Sequence, residues 1–162
     1  MNSGNPSAPA SRVNALLADY ARGRAVAFAP HATLELIERP VITPVPGAAY
    51  YAHGLLRWQT RFVPVIDLHT LLRAHADADA TLKPPRYALV LAWQRAAGAP
   101  LEHGAIGLAA PPRRLEVGAD TAVSPLPNDS DLWPLIAHSC LRDGEQVIPI
   151  IDTSRLFDSD HG

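Results

Sequence analysis

The chain carries one strand-and-cap pattern twice. Phe62-Val-Pro-Val-Ile-Asp-Leu-His-Thr-Leu-Leu72 aligns without gaps on Val147-Ile-Pro-Ile-Ile-Asp-Thr-Ser-Arg-Leu-Phe157, proline on proline and aspartate on aspartate, with apolar residues in register around them. A weaker echo sets Thr43-Pro-Val-Pro46 against Ser124-Pro-Leu-Pro127, each shortly before the closing strand of its half. Self-similarity of this kind implies two copies of one supersecondary unit packed together. The alternative is coincidence in a pattern of apolar residues, Pro and Asp.

Each part of the unit has a physical task. A β-branched run suits a strand buried on both faces, so each copy is expected at the centre of its half. Pro64 and Pro149 remove one ladder donor and fix a local bend, which suits a sharply coiled strand in a small barrel. Asp67 and Asp152 are placed to accept from the first free N–H groups of a following helical turn. Sixteen prolines, many inside apolar runs, argue against long helices and for short, interrupted strands.

Bulk properties exclude several classes. A net charge of -2 gives no electrostatic reason to expect nucleic acid or an anionic membrane surface as a partner. No apolar run approaches the roughly 20 residues that span a bilayer, so direct membrane insertion is not expected. The opening ten residues are polar and Pro-containing, without the basic and apolar regions of a secretory signal, and read as a disordered tail. One cysteine, Cys140, excludes an internal disulfide and suits a reducing cytoplasm.

Along the chain, residues 11–21 are expected to form a short helix, with Ser11 as N-cap and Val13, Leu16, Leu17 and Tyr20 at helical spacing. Strands are expected over 25–28, 54–58, 62–66, 87–93, 104–110 and 146–151; residues 33–38 stay open between strand and helical turns. The strands at 87–93 and 104–110 read as a hairpin joined by a loop over 95–103. Asp67 should cap a helix over 68–74, and Asp152 a terminal turn over 152–157. A polar Ala/Asp-rich connection over 75–85 marks the boundary between a first half, about 24–74, and a second, about 86–151. Residues 1–23 are then tail and short helix, and 158–162 tail.

Catalytic patterns fail. Asp67 and Asp152 hold equivalent places in two halves, yet neither lies on the tight glycine-bearing loop that a shared-proton carboxylate dyad needs. His69 and His75 are six apart, off the i,i+3 or i,i+4 spacing of helical metal ligands. His31, His53, His103, His138 and His161 are scattered, so gathering three of them would depend on the fold. Cys140 is expected to be a small buried hydrophobe rather than a nucleophile. Trp58 is expected to be partly buried. Trp133, in the polar stretch Asn128-Asp-Ser-Asp-Leu-Trp-Pro134, is either an exposed contact anchor or a plug at the end of the second half.

The stretch Glu35-Leu-Ile-Glu-Arg-Pro-Val-Ile-Thr-Pro-Val-Pro46, then Tyr51, Gly54-Leu-Leu and Phe62-Val-Pro-Val-Ile-Asp-Leu68, resembles the CheW-like domain of chemotaxis adaptors. The closing half, from Gly107 to Ile148-Pro-Ile-Ile-Asp152, is similar to that family's second half, so the resemblance covers about residues 24–157. It implies a mainly β fold of two five-stranded, SH3-like β-barrels sharing a core, with short helices. It also implies no catalysis, no cofactor and no metal, and a cytoplasmic place within receptor arrays. The implied partners are the cytoplasmic tip of a methyl-accepting chemoreceptor and the regulatory domain of a histidine kinase.

The carried-over contact residues are Glu35, Ile37 and the tip of the 54–66 hairpin, with Gly54, Pro64, Asp67, Pro149 and Asp152 as structural positions; Trp133 joins the contact residues only through its polar loop, not through the resemblance. One departure stands out. Where the family reads Asn-Leu-Arg-Gly, this chain reads Arg57-Trp58-Gln59-Thr60, so the contact arginine becomes Gln59 and the turn glycine Thr60. A permanently charged fork is lost, and Arg57 and Arg61 flank the gap. The chain reads as a divergent member, with some likeness to accessory adaptors of type IV pilus and twitching systems. A different class of reading is a ligand- or nucleotide-sensing barrel that has lost array coupling.

Overall fold

The computed structural model describes residues 12–73 and 82–158. The expected tails, Ser11 and most of the 75–85 connection lie outside the described residues. The first half runs β1 (Val13–Ala21), β2 (Arg24–Phe28), a 3-10 turn (Pro30–Ala32), β3 (Thr33–Glu38), β4 (Ile42–Thr43), β5 (Ala52–Trp58), β6 (Arg61–Ile66) and α1 (Leu68–Leu72). The second half runs β7 (Tyr87–Trp93), β8 (Glu102–Leu108), β9 (Arg113–Val117), β10 (Ala122–Ser124), α2 (Trp133–Ile136), β11 (Ala137–Asp143), β12 (Gln146–Ile151) and α3 (Thr153–Leu156).

The mainly β architecture expected from the sequence holds, with six strands in each sheet instead of five. One sheet is ordered β10-β11-β12-β2-β1-β9 and the other β3-β7-β8-β6-β5-β4. The short β4 and β10 occupy outer places and complete the count. The two orders correspond strand for strand, as the repeat requires, but the sheets do not divide at the 75–85 connection. The β1–β2 hairpin lies in the sheet of β9 to β12, and β7–β8 lies in the sheet of β3 to β6. Each half therefore lends its first hairpin to the other's sheet, held on one side by short parallel pairings of β6 with β8 and β12 with β2, and on the other by antiparallel ladders of β3 with β7 and β9 with β1.

The lent hairpins are apolar on both faces because both faces are covered. On β7, Ala88 and Val90 pack with Leu56, Trp58, Val63, Val65 and Ala105 inside one sheet. Leu89 and Leu91 turn the other way, into a core built from both sheets that includes Val26, Phe28, Leu68, Ile106, Ile136 and Leu156. On β1 and β2, Leu17 and Ala27 meet Leu141 and Ile148 inside the second sheet, while Ala18, Val26 and Phe28 join the shared core.

The helix expected over 11–21 is a strand. β1 pairs with β2 on one edge and β9 on the other, and Leu17 and Ala18 are consecutive buried residues facing opposite cores. An isolated helix of that length is marginal, whereas the strand gains two ladders and two apolar contacts. The expectation that the repeated apolar run buries on both faces needs trimming for the first copy: Phe62 and Pro64 of β6 are exposed while Val63 and Val65 are buried. Residues 33–38 resolve as strand β3.

Gly54 answers a specific demand. Its φ is 134°, and a Cβ there would lie 2.2 Å from the carbonyl oxygen of Thr43. It sits beside the bulge at His53, where the β5–β6 register shifts, and it lets β4 close against β5. Gly54→Ala should cost about 3 kcal/mol, from a forbidden backbone region plus the clash with Thr43. Thermal denaturation should show the midpoint falling by roughly 6–12 °C; an unchanged midpoint would contradict the close approach.

Candidate protein-interaction site

The repeated aspartates are caps, each with a histidine lying close to it. Asp67 accepts from the Thr70 N–H at 2.9 Å, and its own N–H donates to the Tyr51 carbonyl. Asp152 accepts from the Ser154 N–H at 3.0 Å and the Ser154 hydroxyl at 2.6 Å, and its N–H donates to the Ile136 carbonyl. The bulges at His53 and His138 turn those side chains toward the caps: His53 Nε2 lies 3.5 Å from Asp67, and His138 Nε2 lies 3.2 Å from Asp152. The spacing from His53 to His138 equals that from Asp67 to Asp152. At 3.5 Å the His53 contact is a close approach rather than a formed hydrogen bond, and among the described residues His53 Nε2 has no hydrogen-bond partner. Burial alone would raise the pKa of Asp67; His53 and the Thr70 N–H outweigh it and hold the carboxyl below its usual range.

Neither pair has the arrangement of a hydrolytic triad. Ser154 bonds to the carboxylate and not to the histidine, so no base is placed on its hydroxyl. Among the described residues, no three His, Cys, Asp or Glu side chains gather as a metal site. Cys140 is buried, and desolvation pushes its thiol pKa up, which keeps it unreactive.

The candidate contact residues divide between two faces of the β5–β6 hairpin. Glu35, on the edge strand β3, accepts from the Trp58 indole N–H at 2.6 Å. Ile37 packs beside it against the cluster that holds Trp58. Trp58 stands opposite Arg61 in the ladder. Arg61 has no acceptor, so it donates to His103 Nδ1, at 2.8 Å, which makes that ring nitrogen the acceptor. Desolvation first and the Arg61 charge second lower the pKa of His103, which favours this neutral form. The His103 ring also lies 5.2 Å from Trp58. Glu35, Ile37, Trp58, Arg61 and His103 thus form one satisfied cluster under the hairpin tip.

Arg57 lies on the opposite face. It pairs with Phe62 across the hairpin, next to Leu55 and Pro64, and both Arg57 and Phe62 are exposed. Gln59 and Thr60 form the two-residue tip. The residue in the left-handed region is Gln59, with φ 54°, and not Thr60.

Of the two readings of Trp133, the structure gives the buried plug, which removes it from the contact residues. It is fully buried, its indole donates to Asp129 at 2.8 Å, and its ring meets Tyr20 edge-on at 6.0 Å. Trp58 is buried more completely than expected. His103 was missed because residues 95–103 read as a loop, whereas β8 already begins at Glu102. Phe62 was missed as a surface residue because it opens an apolar run; only its alternation with Val63 signals the outward face.

A family model described as CheW-like domain matches residues 20–161. Among solved structures, the scaffolding protein TtCheW from Thermoanaerobacter tengcongensis is similar with a TM-score of 0.68 at 13% sequence identity, over 94% of this chain and 97% of that chain. That likeness is one of fold, two SH3-like barrels. No curated protein matches the sequence.

Two outcomes follow from the caps and the tip. Asp67→Ala should cost about 1 kcal/mol at neutral pH. Because the folded pKa is depressed, the ionised form's contribution is present above the unfolded value, about 3.9, and is lost as pH falls through the folded one. Urea titrations should therefore show the gap between wild type and variant narrowing below about pH 4; a gap that is constant with pH would refute the role given to the charge. Gln59→Gly relieves a left-handed non-glycine and should raise stability by about 0.5–1 kcal/mol, read as a shift in urea midpoint at constant m-value.

Proposed function

Because the chain belongs to the CheW-like domain family, whose members are non-enzymatic scaffolds and adaptors of chemotaxis signalling, we propose that it couples the cytoplasmic tip of a methyl-accepting chemoreceptor to the regulatory domain of a histidine kinase. The observation that carries this reading is the family match across residues 20–161, nearly the whole described fold. No helix among the described residues is long and apolar enough to cross a membrane. On the adaptor reading, it acts in the cytoplasm and reaches the membrane through the receptors it binds.

The receptor contact is assigned to the β3 edge and the β5–β6 tip. There Glu35 and Arg61 already have partners within the chain, whereas Arg57 beside Phe62 presents a cation and an exposed ring on one face. That pairing suits a partner offering a carboxylate next to an apolar side chain. Immobilised protein should capture a chemoreceptor signalling tip and a kinase regulatory domain in separate pull-downs. Arg57→Glu should weaken receptor-tip binding about tenfold at low salt, as charge reversal at an interface does. Capture of neither partner at high micromolar concentration would sink the adaptor reading.

A further inference from the structure

The β1–β2 turn, the end of α1 and the loop ahead of α2 enclose a cleft of about 540 Å3 at the seam between the two sheets. Its walls carry Arg22, Arg24, Arg73 and His69 against one acid, Asp129. That acid is already committed. One of its oxygens pairs with Arg24 and the other accepts from the buried Trp133 indole. Asp129 is therefore fixed in place by the core and neutralises Arg24 alone. Arg22 and Arg73 have no ion pair with any described residue, and both are exposed.

Two guanidiniums at one cleft, neither in an ion pair among the described residues, favour carboxylates, which their planar donor forks match. The cleft is lined by none of Glu35, Ile37, Arg57, Gln59 or Arg61. An adaptor holding two partners at once needs a second surface of this kind, so the inference rests on the adaptor reading. We infer that the Arg22–Arg73 cleft docks an acidic segment of a partner protein, with one carboxylate on each arginine.

The test uses the full chain and a fluorescein-labelled polyglutamate peptide, followed by anisotropy at low and high salt. Binding should be salt-sensitive, and Arg22→Glu/Arg73→Glu should weaken it about tenfold or more. Arg114→Glu, an exposed arginine on β9, should leave it unchanged. Circular dichroism and melting should show all variants folded, since each altered side chain is exposed. Equal weakening by Arg114→Glu would mean general surface charge and overturn the site. Competition by inorganic pyrophosphate as effective as that by unlabelled peptide would make it a small-anion pocket and overturn the docking assignment. The pull-downs separate the two readings. If wild type captures a receptor tip and a kinase domain and the double variant captures both equally, the cleft assignment fails while the adaptor stands. If the peptide is lost by the double variant but wild type captures neither partner, the adaptor reading fails and the acidic docking site stands.

Discussion

Neighbouring residues on a strand point to opposite faces, so the complete burial of both Val90 and Leu91 on β7, and of both Val26 and Ala27 on β2, demands cover on both sides. Neither half supplies that cover alone. The inner face of β7 rests on Leu56, Val63 and Val65 of the first half, and its outer face on a core that also takes Phe28, Ile136 and Leu156. Exchange of the two hairpins is what completes both sheets and creates the shared core between them. A cut in the connection between the halves would leave each with its own lent hairpin and without the one it borrows. The two barrels are thus one cooperative unit, held by contacts of long sequence separation.

The same exchange fixes where the caps fall. β6 and β12 sit at the seam, each beside a hairpin lent by the opposite half, and each runs straight into an aspartate that starts a short helix. Helices of four or five residues have little stability of their own; α1 and α3 survive because Leu68, Leu71 and Leu156 are anchored in the shared core. The bulged histidines then bring the preceding strand against each cap, His138 at 3.2 Å from Asp152 and His53 at 3.5 Å from Asp67. Symmetry is kept in this frame and given up at the tips. The hairpin that ends in Trp58-Gln59-Thr60-Arg61 corresponds to one that ends in Asp143-Gly144-Glu145-Gln146. One tip is aromatic and basic and the other acidic, so the two barrels offer different surfaces to partners.

Much of the frame was legible because the repeat is written in residues whose local physics is strong. Pro and Asp at matched places announce a strand that ends in a cap, and both caps form as the side-chain chemistry requires. The misreadings come from long-range effects. Val13, Leu16, Leu17 and Tyr20 satisfy a helical period by chance, and only the presence of β2 and β9 on either edge decides for a strand. The hairpin exchange left no local trace, since every ladder that makes it joins residues far apart in sequence, such as Leu17 with Arg113 and Ile150 with Ala27. Trp133 sits in a polar stretch, and its burial depends on Tyr20 and Asp129 arriving from elsewhere. Arg22 and Arg73 are far apart in sequence, and no spacing rule connects them.

The Gln59-Thr60 tip takes its meaning from its neighbours. A tryptophan at position 58 engages Glu35, and His103 engages Arg61, so two charged groups at the candidate surface are spent on internal contacts. Gln59 then occupies the left-handed turn position, where glycine would be the relaxed choice. The remaining open cation on this hairpin is Arg57, on the other face and beside the exposed ring of Phe62. A partner that reads this surface must approach Arg57 and Phe62 together. Its binding energy would come as much from covering the Phe62 ring as from a charge pair, which by itself contributes little while exposed.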